Sequence, residues 1–285
     1  ISTFTISSDG TTITEVDTLE HDTNNATNNS LVQVDSDTYA LAYSGVGSEG
    51  FISTFTIDSD GTITAVKTQS EGNNLEHDTD EGAYNSLVQV DSDTYALAYA
   101  GFRDDGFIST FTISSDGTTI TEVDTLEHDT NNGENNSLVQ VDSDTYALAY
   151  SGVASKGFIS TFTIDSDGTI TAVKTQSEGN NLEHDTKDGI HNSLVQVDSV
   201  TYALAYSGLD DDGFISTFTI DSDGTITAVK TQSEGNNLEH DAGHGQHNSL
   251  VQVDSDTYAL AYEGVGSDGF ISTFTIGTTL PHKVE

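Results

Sequence analysis

The sequence predicts an all-β protein, a five-bladed β-propeller of four-stranded antiparallel blades, closed by N- and C-terminal strands that share one blade. Three observations support this prediction. The chain contains five internal repeats. Each repeat holds four short segments of alternating polarity bounded by turn residues. The chain also starts and stops out of phase with its repeat, as a closed ring allows. We place one domain over residues 1–276 and a C-terminal tail over 277–285.

The repeat is visible in two motifs. Glu-His-Asp recurs at spacings of 56, 51, 56 and 56 residues, with its histidine at His21, His77, His128, His184 and His240. The motif NSLVQVDS also occurs five times, each time just before a Tyr-Ala-Leu-Ala-Tyr segment. The 51-residue spacing is shorter because the connector TAVKTQSEGNNLEHD of three copies is replaced by the shorter TEVDTLEHD in the others.

Four strands are predicted in each repeat. In the second copy they are A (Leu87–Val90), B (Tyr95–Ala100), C (Phe107–Ile113) and D (Thr119–Val123). Side chains alternate between the faces of a strand, so strand B has Tyr95, Leu97 and Tyr99 on one face and alanines on the other. A sheet with one bulky and one flat face can pack on both sides. A ring of such sheets provides a neighbour for each face.

The turn between strands C and D is predicted from Ser-Asp-Gly, as at Asp60-Gly61 and Asp167-Gly168. Glycine adopts the positive φ that a tight hairpin turn needs. The same residues match part of a calcium loop, but the acidic spacing and distant glutamate of an EF-hand are missing. We therefore interpret the motif as a turn.

Ring closure depends on the two chain ends. The chain opens with strands C and D and closes with strands A, B and C, so the segment ISTFTI is present at both ends. We predict that strand D near Thr12–Val16 pairs with Phe270–Ile276, leaving Ile1–Ile6 outermost. The alternative is that Ile1–Ile6 takes the C position and the last segment is displaced. Either arrangement removes free sheet edges.

Charge limits the partners. The chain has 47 acidic and 7 basic residues, giving a net charge of −40, which repels nucleic acid and anionic lipid. No apolar run reaches the ~20 residues needed to cross a bilayer. Salt shortens the screening length from ~10 Å at 0.1 M to ~3 Å at 1 M, so a halophilic setting suits this surface. We expect a monomer, outside the cell or on its surface, with neither nucleic acid nor a membrane as partner.

The block TYALAY–SG–GFISTFTI–SDG–TIT resembles the repeat of bacterial and archaeal extracellular β-propeller proteins, and it covers almost the whole chain. The resemblance implies the propeller fold. The architecture is also similar to that of the five-bladed tachylectin-type lectins, which implies one sugar site per blade. This chain departs from those lectins because it has no tryptophan, the usual stacking surface for a sugar ring.

The Glu-His-Asp triplets are the first candidate site. They precede strand A, which lines the central channel of a propeller, so we expect them at one mouth of that channel. In an extended segment the two acids share a face, and hard cations favour such oxygen ligands. The predicted ligands are Glu20, Asp22, Glu76, Asp78, Glu127, Asp129, Glu183, Asp185, Glu239 and Asp241, with Ca²⁺ as the ion, although the fold requires no cofactor. The alternative is that the histidines hydrogen-bond between blades and the acids are solvated.

The second candidate site is a face of variable loops. The copies differ mainly in the connector after Glu-His-Asp and in the B–C loop, and both emerge on the same face of a propeller. Variable loops on a constant scaffold are typical of a recognition surface. The predicted ligand-binding residues are Tyr84, Phe102, Arg103, Glu134, Lys156, His191, Leu209, Asp211 and His247. The alternative is that these loops vary because they tolerate change.

These patterns predict a non-enzymatic binding or adhesion module that recognises a glycan or a surface protein. No copy shows a recognisable nucleophile motif, and five equivalent triplets do not separate an acid from a base, so we predict no catalytic residues and no enzyme. Two alternatives stay open. One is an acidic, cation-stabilised structural repeat domain, and the other is a polysaccharide hydrolase or lyase.

Overall fold

The computed structural model describes residues 1–277, and the protein is all-β with the blades of a five-bladed β-propeller, as predicted. The chain divides into two compact units. The first contains Ile1–Glu127 and Ile164–Ile170, and the second contains His128–Thr163 and the chain from Thr171 onward. The single domain over 1–276 stays a prediction. The predicted tail, apart from Gly277, lies outside the described residues.

The first unit is built from a hairpin and two sheets. Its strands are β1 (Ser2–Ile6), β2 (Ile13–Thr18), β3 (Thr27–Gln33), β4 (Thr38–Ser44), β5 (Gly50–Ile57), β6 (Ile63–Lys67), β7 (Leu75–Asp78), β8 (Ala83–Gln89), β9 (Thr94–Ala100), β10 (Gly106–Ile113) and β11 (Ile120–Asp129), the last of which runs into the second unit. Short 3₁₀ turns occupy Val46–Ser48 and Phe102–Asp104.

The second unit contains three sheets. Its strands are β12 (Glu134–Gln140), β13 (Thr145–Ser151), β14 (Gly157–Ile164), β15 (Ile170–Lys174), β16 (Leu182–Asp185), β17 (Ile190–Gln196), β18 (Thr201–Ser207), β19 (Gly213–Ile220), β20 (Ile226–Lys230), β21 (Leu238–Asp241), β22 (Gln246–Gln252), β23 (Thr257–Glu263) and β24 (Gly269–Thr275). The 3₁₀ turns are Val153–Ser155, Leu209–Asp211 and Val265–Ser267.

Each complete blade has the predicted antiparallel order A-B-C-D. The second copy forms the sheet β11-β10-β9-β8, in which Phe107 lies opposite Tyr99 and Phe111 opposite Tyr95. In three copies a fifth short strand, carrying the Glu-His-Asp triplet, also pairs with strand C: β7 with β5, β16 with β14 and β21 with β19. Strand C therefore has strand D and the triplet strand as partners along one edge.

Neighbouring blades pack a bulky face against a flat one. In the first unit Ala40, Ala42 and Ile52 of one blade form a buried cluster with residues of the next blade, among them Tyr95 and Leu97. The second unit repeats this packing twice with equivalent residues. The alternation seen in strand B therefore determines which face meets which, because only the alanine face lets the tyrosines of the neighbour approach.

The C–D turns use glycine as predicted, with φ of 89° at Gly61 and 88° at Gly168. These turns also connect blades. Within the second unit the Thr161 hydroxyl donates a hydrogen bond of 2.8 Å to the carbonyl of Gly224, and the first unit contains the equivalent bond from Thr54 to Gly117. The turn that ends one strand therefore also fixes the spacing between sheets.

Strand β2 pairs with β1 in a hairpin of the first unit, and β24 pairs with β23 in a three-stranded sheet of the second. The predicted pairing of Thr12–Val16 with Phe270–Ile276 would join these two units, so it stays a prediction, as does the alternative in which the last segment is displaced.

Candidate functional site

The Glu-His-Asp triplets add to the sheet beside strand C. The triplet strand pairs with strand C, so that in β16 Asp185 lies opposite Gly157 and Glu183 opposite Phe158. Strand A is at the other end of the sheet order. The expected ring of triplets at the mouth of a central channel stays a prediction, because the two compact units are described separately.

The triplet histidines are buried between aromatic rings. The ring of His128 lies 4.8 Å from that of Tyr150 and 5.7 Å from that of Phe162, and neither of its nitrogens has a hydrogen-bond partner within the described chain. Burial lowers the pKa of His77, His128 and His184 to about 3, so these side chains are neutral at pH 7. These imidazoles pack edge-on against the tyrosine rings of strand B.

The triplet aspartates cap the turn that follows. Oδ1 of Asp129 accepts hydrogen bonds from the backbone N–H groups of Asn131 at 2.9 Å and Asn132 at 3.3 Å, and Oδ2 accepts one from the Tyr150 hydroxyl at 3.1 Å. Among residues 1–277 no three His, Asp or Glu side chains are spaced to hold a metal ion. The ten predicted metal ligands are thus not brought together, and a Ca²⁺ requirement stays a prediction.

The two variable loops adjoin each other. The N–H of Gly189, in the connector of the fourth copy, donates to the carbonyl of Ser155 in the B–C loop of the third, and Gly245 makes the same 2.7 Å bond to Asp211. The predicted ligand-binding residues occupy these loops or the first residues of strand A. Lys156 forms an ion pair of 3.1 Å with Glu183, and the Arg103 guanidinium lies 4.9 Å from the exposed Phe102 ring. Leu209 is also exposed, and Glu134 begins β12 opposite Ser151.

A β-bulge near the start of strand A positions the variable side chains. Its residue has positive φ in every copy, between 52° and 54°, and these residues are Asn28, Tyr84, Asn135, His191 and His247. Non-glycine residues adopt this conformation at a cost, and bulges often redirect a side chain. The repeated bulge therefore presents a residue that varies between copies. In the second unit the N–H of His191 donates to Oδ1 of Asn135, so successive bulges are in contact.

Two of the bulge residues, His191 and His247, belong to a cluster that the other copies lack. The rings of His191 and His247 lie 4.2 Å apart. Nε2 of His247 lies 3.7 Å from Oε2 of Glu263, and Nε2 of His244 lies 3.7 Å from Oε1 of the same carboxylate. One carboxylate thus faces two imidazoles, and a third imidazole contacts one of them at a tilt of 51°. Asp211 lies at the edge, where its Oδ1 accepts a hydrogen bond of 2.7 Å from Gln246.

The cluster contains a neutral histidine and an ionised glutamate. Burial and the neighbouring His247 lower the pKa of His191 to about 4, so this ring is neutral at pH 7. A hydrogen bond from Ser267, together with His247 and His244, lowers the pKa of Glu263, which is therefore an anion. The side chain of His247 is 63% exposed and that of Glu263 30%. An ionised carboxylate beside an accessible imidazole is the arrangement that supports general-base catalysis.

Two residues of this cluster, Glu263 and His244, were missing from the predicted site. The sequence contains a signal for Glu263, because the residue after Tyr-Ala-Leu-Ala-Tyr is Ser or Ala in the other four copies: Ser44, Ala100, Ser151 and Ser207. Its partners could not be predicted. They are set by the pairing of Gln246 with Glu263 and by the bulge that follows Gln246.

Comparison with known proteins shows the fold. No family model matches the sequence, and no curated protein does. Among solved structures, a triple mutant of AofleA from Arthrobotrys oligospora has a TM-score of 0.60 at 12% identity, covering 93% of this chain and 74% of that one. A Hadza microbial sialidase has a TM-score of 0.53 at 13% identity, covering 89% and 53%. The periplasmic gluconolactonase of Pseudomonas aeruginosa has a TM-score of 0.46 at 12% identity, covering 96% and 92%.

These neighbours correct the predicted function. We expected a non-enzymatic binding module and no enzyme, whereas the neighbours with TM-scores of 0.50 or more include a sialidase and a putative 6-phosphogluconolactonase of Bacteroides fragilis. The prediction was wrong because it compared equivalent triplets and overlooked the copy that breaks the symmetry.

No described helix is long and apolar enough to span a membrane.

Proposed function

We propose that this protein is a hydrolase that cleaves an ester or lactone bond of a sugar-derived substrate. The observation that supports it is the convergence of His244, His247 and Glu263, which occurs in one copy of a five-fold repeat. Hydrolysis needs one base at one place, and a five-fold set of equivalent residues does not provide that. We also propose that the protein acts outside the cell, since its charge suits a saline medium.

The chemistry follows from the exposed imidazole. His247 takes a proton from water while the water oxygen bonds to the carbonyl carbon of the substrate. The tetrahedral intermediate then breaks its bond to the leaving oxygen, which receives the proton from the imidazolium. Glu263 stabilises the imidazolium at 3.7 Å, and His191 limits the movement of the ring by packing against it. A positioned base of this kind contributes ~10²–10⁴-fold to rate.

The repeat supplies matched variants for the test. E263S installs the serine found at the equivalent positions of three other copies, and H247N installs the asparagine of the first and third copies at the same positive φ. Turnover is measured on aryl esters, neutral sugar lactones, aryl glycosides and polysaccharides. We expect lactone or ester hydrolysis in the parent chain, with kcat lowered ~10²-fold or more in both variants.

The control is E178S, the same substitution at an exposed glutamate of the second unit. It is expected to leave turnover unchanged. No turnover on any substrate, or full turnover in E263S and H247N, would contradict the proposed function. Cleavage of glycosides alone would also contradict it, because that reaction requires a protonated carboxyl as acid rather than this histidine.

A further inference from the structure

The B–C loop of the fourth copy meets the connector of the fifth copy next to the proposed base. The carbonyl of Asp211, in this loop, accepts a hydrogen bond of 2.7 Å from the N–H of Gly245. Gln246, the next residue, begins β22 and lies opposite Glu263 in β23. All of these residues belong to the second unit. The turn that carries Asp211 is therefore fixed beside the strand pair that holds Glu263 and His247.

The side chain of Asp211 is held in place by an amide. Its Oδ1 accepts a hydrogen bond of 2.7 Å from Nε2 of Gln246. An ionised carboxylate has about four acceptor positions, and this bond occupies one of them. An amide donor also leaves the negative charge in place, whereas a lysine or arginine would neutralise it. Because Asp211 is exposed to solvent, it presents an oriented and charged acceptor to a ligand.

The junction between the third and fourth copies lacks this pair of side chains. The position of Asp211 is occupied there by Ser155, and the position of Gln246 by Ile190. The backbone contact is the same, since the N–H of Gly189 donates a hydrogen bond of 2.7 Å to the carbonyl of Ser155. The scaffold is therefore repeated, and the charge and the amide partner distinguish the junction that adjoins the proposed base.

Two carboxylates act on the imidazoles of the cluster. Glu263 lies 3.7 Å from His247, whose ring packs against that of His191. Burial and His247 lower the pKa of His191 to about 4, and the carboxylates of Asp211 and Glu263 raise it by less. A substrate at His247 is therefore within range of two negative charges. Such acceptors bind hydroxyl groups through charge-assisted hydrogen bonds and repel phosphate and carboxylate groups.

We propose that Asp211 is a specificity-determining residue of the hydrolase: it accepts a hydrogen bond from a hydroxyl of an uncharged substrate and disfavours substrates that carry a phosphate or carboxylate group. This inference rests on the proposed function and narrows its substrate class to neutral, hydroxylated lactones or esters. Asp211 takes no part in the proton transfer, which belongs to His247. Its effect is therefore expected on KM rather than on kcat.

The test uses two variants of Asp211. D211N keeps an acceptor for Gln246 but removes the charge, and D211S installs the serine of three other copies. The matched control is D144N, at an exposed aspartate of the A–B turn, which lies at the opposite end of strand B from the B–C loop. Turnover is measured on gluconolactone and on its phosphate ester. Binding is measured by saturation-transfer NMR with the hydrolysis-resistant gluconolactam and its phosphate ester.

The expected change is a loss of discrimination. In D211N the KM for gluconolactone should rise ~5- to 10-fold with kcat unchanged, because a charge-assisted hydrogen bond is lost. The kcat/KM for the phosphorylated lactone should rise ~5-fold at low salt, and this gain should disappear at ~1 M NaCl, where charges are screened. The affinities for the two lactams should change in the same directions. D211S should behave like D211N, and D144N like the parent chain.

The outcomes separate the two proposals. An unchanged preference between gluconolactone and its phosphate ester in D211N and D211S overturns the role of Asp211 and leaves the hydrolase in place. A change confined to kcat, or a gain for the phosphorylated lactone that persists at ~1 M NaCl, also overturns it. Discrimination between the lactams that depends on Asp211, in a chain without turnover on any substrate, retains the binding role and refutes the hydrolase.

Discussion

Acidification should destabilise this protein well above the pH at which its carboxylates titrate. Burial lowers the pKa of His77, His128 and His184 to about 3 from an ordinary value of 6.5. Between these two values the unfolded chain binds more protons than the folded one, so stability decreases as the pH falls. The contribution is present above pH 6.5 and is lost progressively down to pH 3.

The size of the effect follows from proton linkage. Between pH 7 and pH 5.5 each of these histidines removes about 1.3 kcal/mol from the free energy of unfolding, and the three together roughly 4 kcal/mol. Over the same interval most of the 47 acidic side chains stay ionised, so relief of charge repulsion does not mask the loss. His21 and His240 have pKa values lowered by burial as well and add to it.

The measurement is urea unfolding at pH 7.0 and pH 5.5 at constant ionic strength. The variant H128Q removes one buried titrating group, so its stability should change less between the two pH values, by about 1.3 kcal/mol. H247N, at an exposed ring, should keep almost the full difference. A parent protein that is equally stable or more stable at pH 5.5, or an H128Q variant with the full pH dependence, would refute the assignment of these histidines as buried and neutral.

Three further predictions concern packing, hydrogen bonding and charge. G157A places a methyl group against a buried ring and should cost about 1–3 kcal/mol in urea unfolding, whereas G269A, at the same repeat position with open space around it, should change stability little. S137A leaves the buried N–H of Leu194 without its 3.0 Å hydrogen bond and should lower the free energy of unfolding by about 1–3 kcal/mol. S249A, at an exposed equivalent, should cost less, and an equal loss there would contradict this account. Raising NaCl from ~0.1 to ~1 M should increase the Tm because screening weakens repulsion among the acids, and an unchanged Tm would show that repulsion is not limiting.

The sequence by itself determined the repeat, the four strands of each copy and the alternation within them. Strand B was predicted as Tyr95–Ala100 and occurs as Thr94–Ala100, because period-two patterning and flanking turns are local properties of the chain. The same patterning predicted a bulky and a flat face on each sheet, both of them packed. The glycine turns were equally predictable, since positive φ is a property of one residue.

Only the tertiary structure decided where the chemistry lies. The sequence shows that the histidine of each triplet points away from its two acids in an extended segment. Whether it contacts solvent or aromatic rings depends on which strand the triplet pairs with. Glu263 stands out when the copies are compared, but its two histidine partners belong to a connector that approaches it only through strand pairing and a bulge. Distances between residues far apart in sequence are set by the packing of sheets, and no local pattern encodes them.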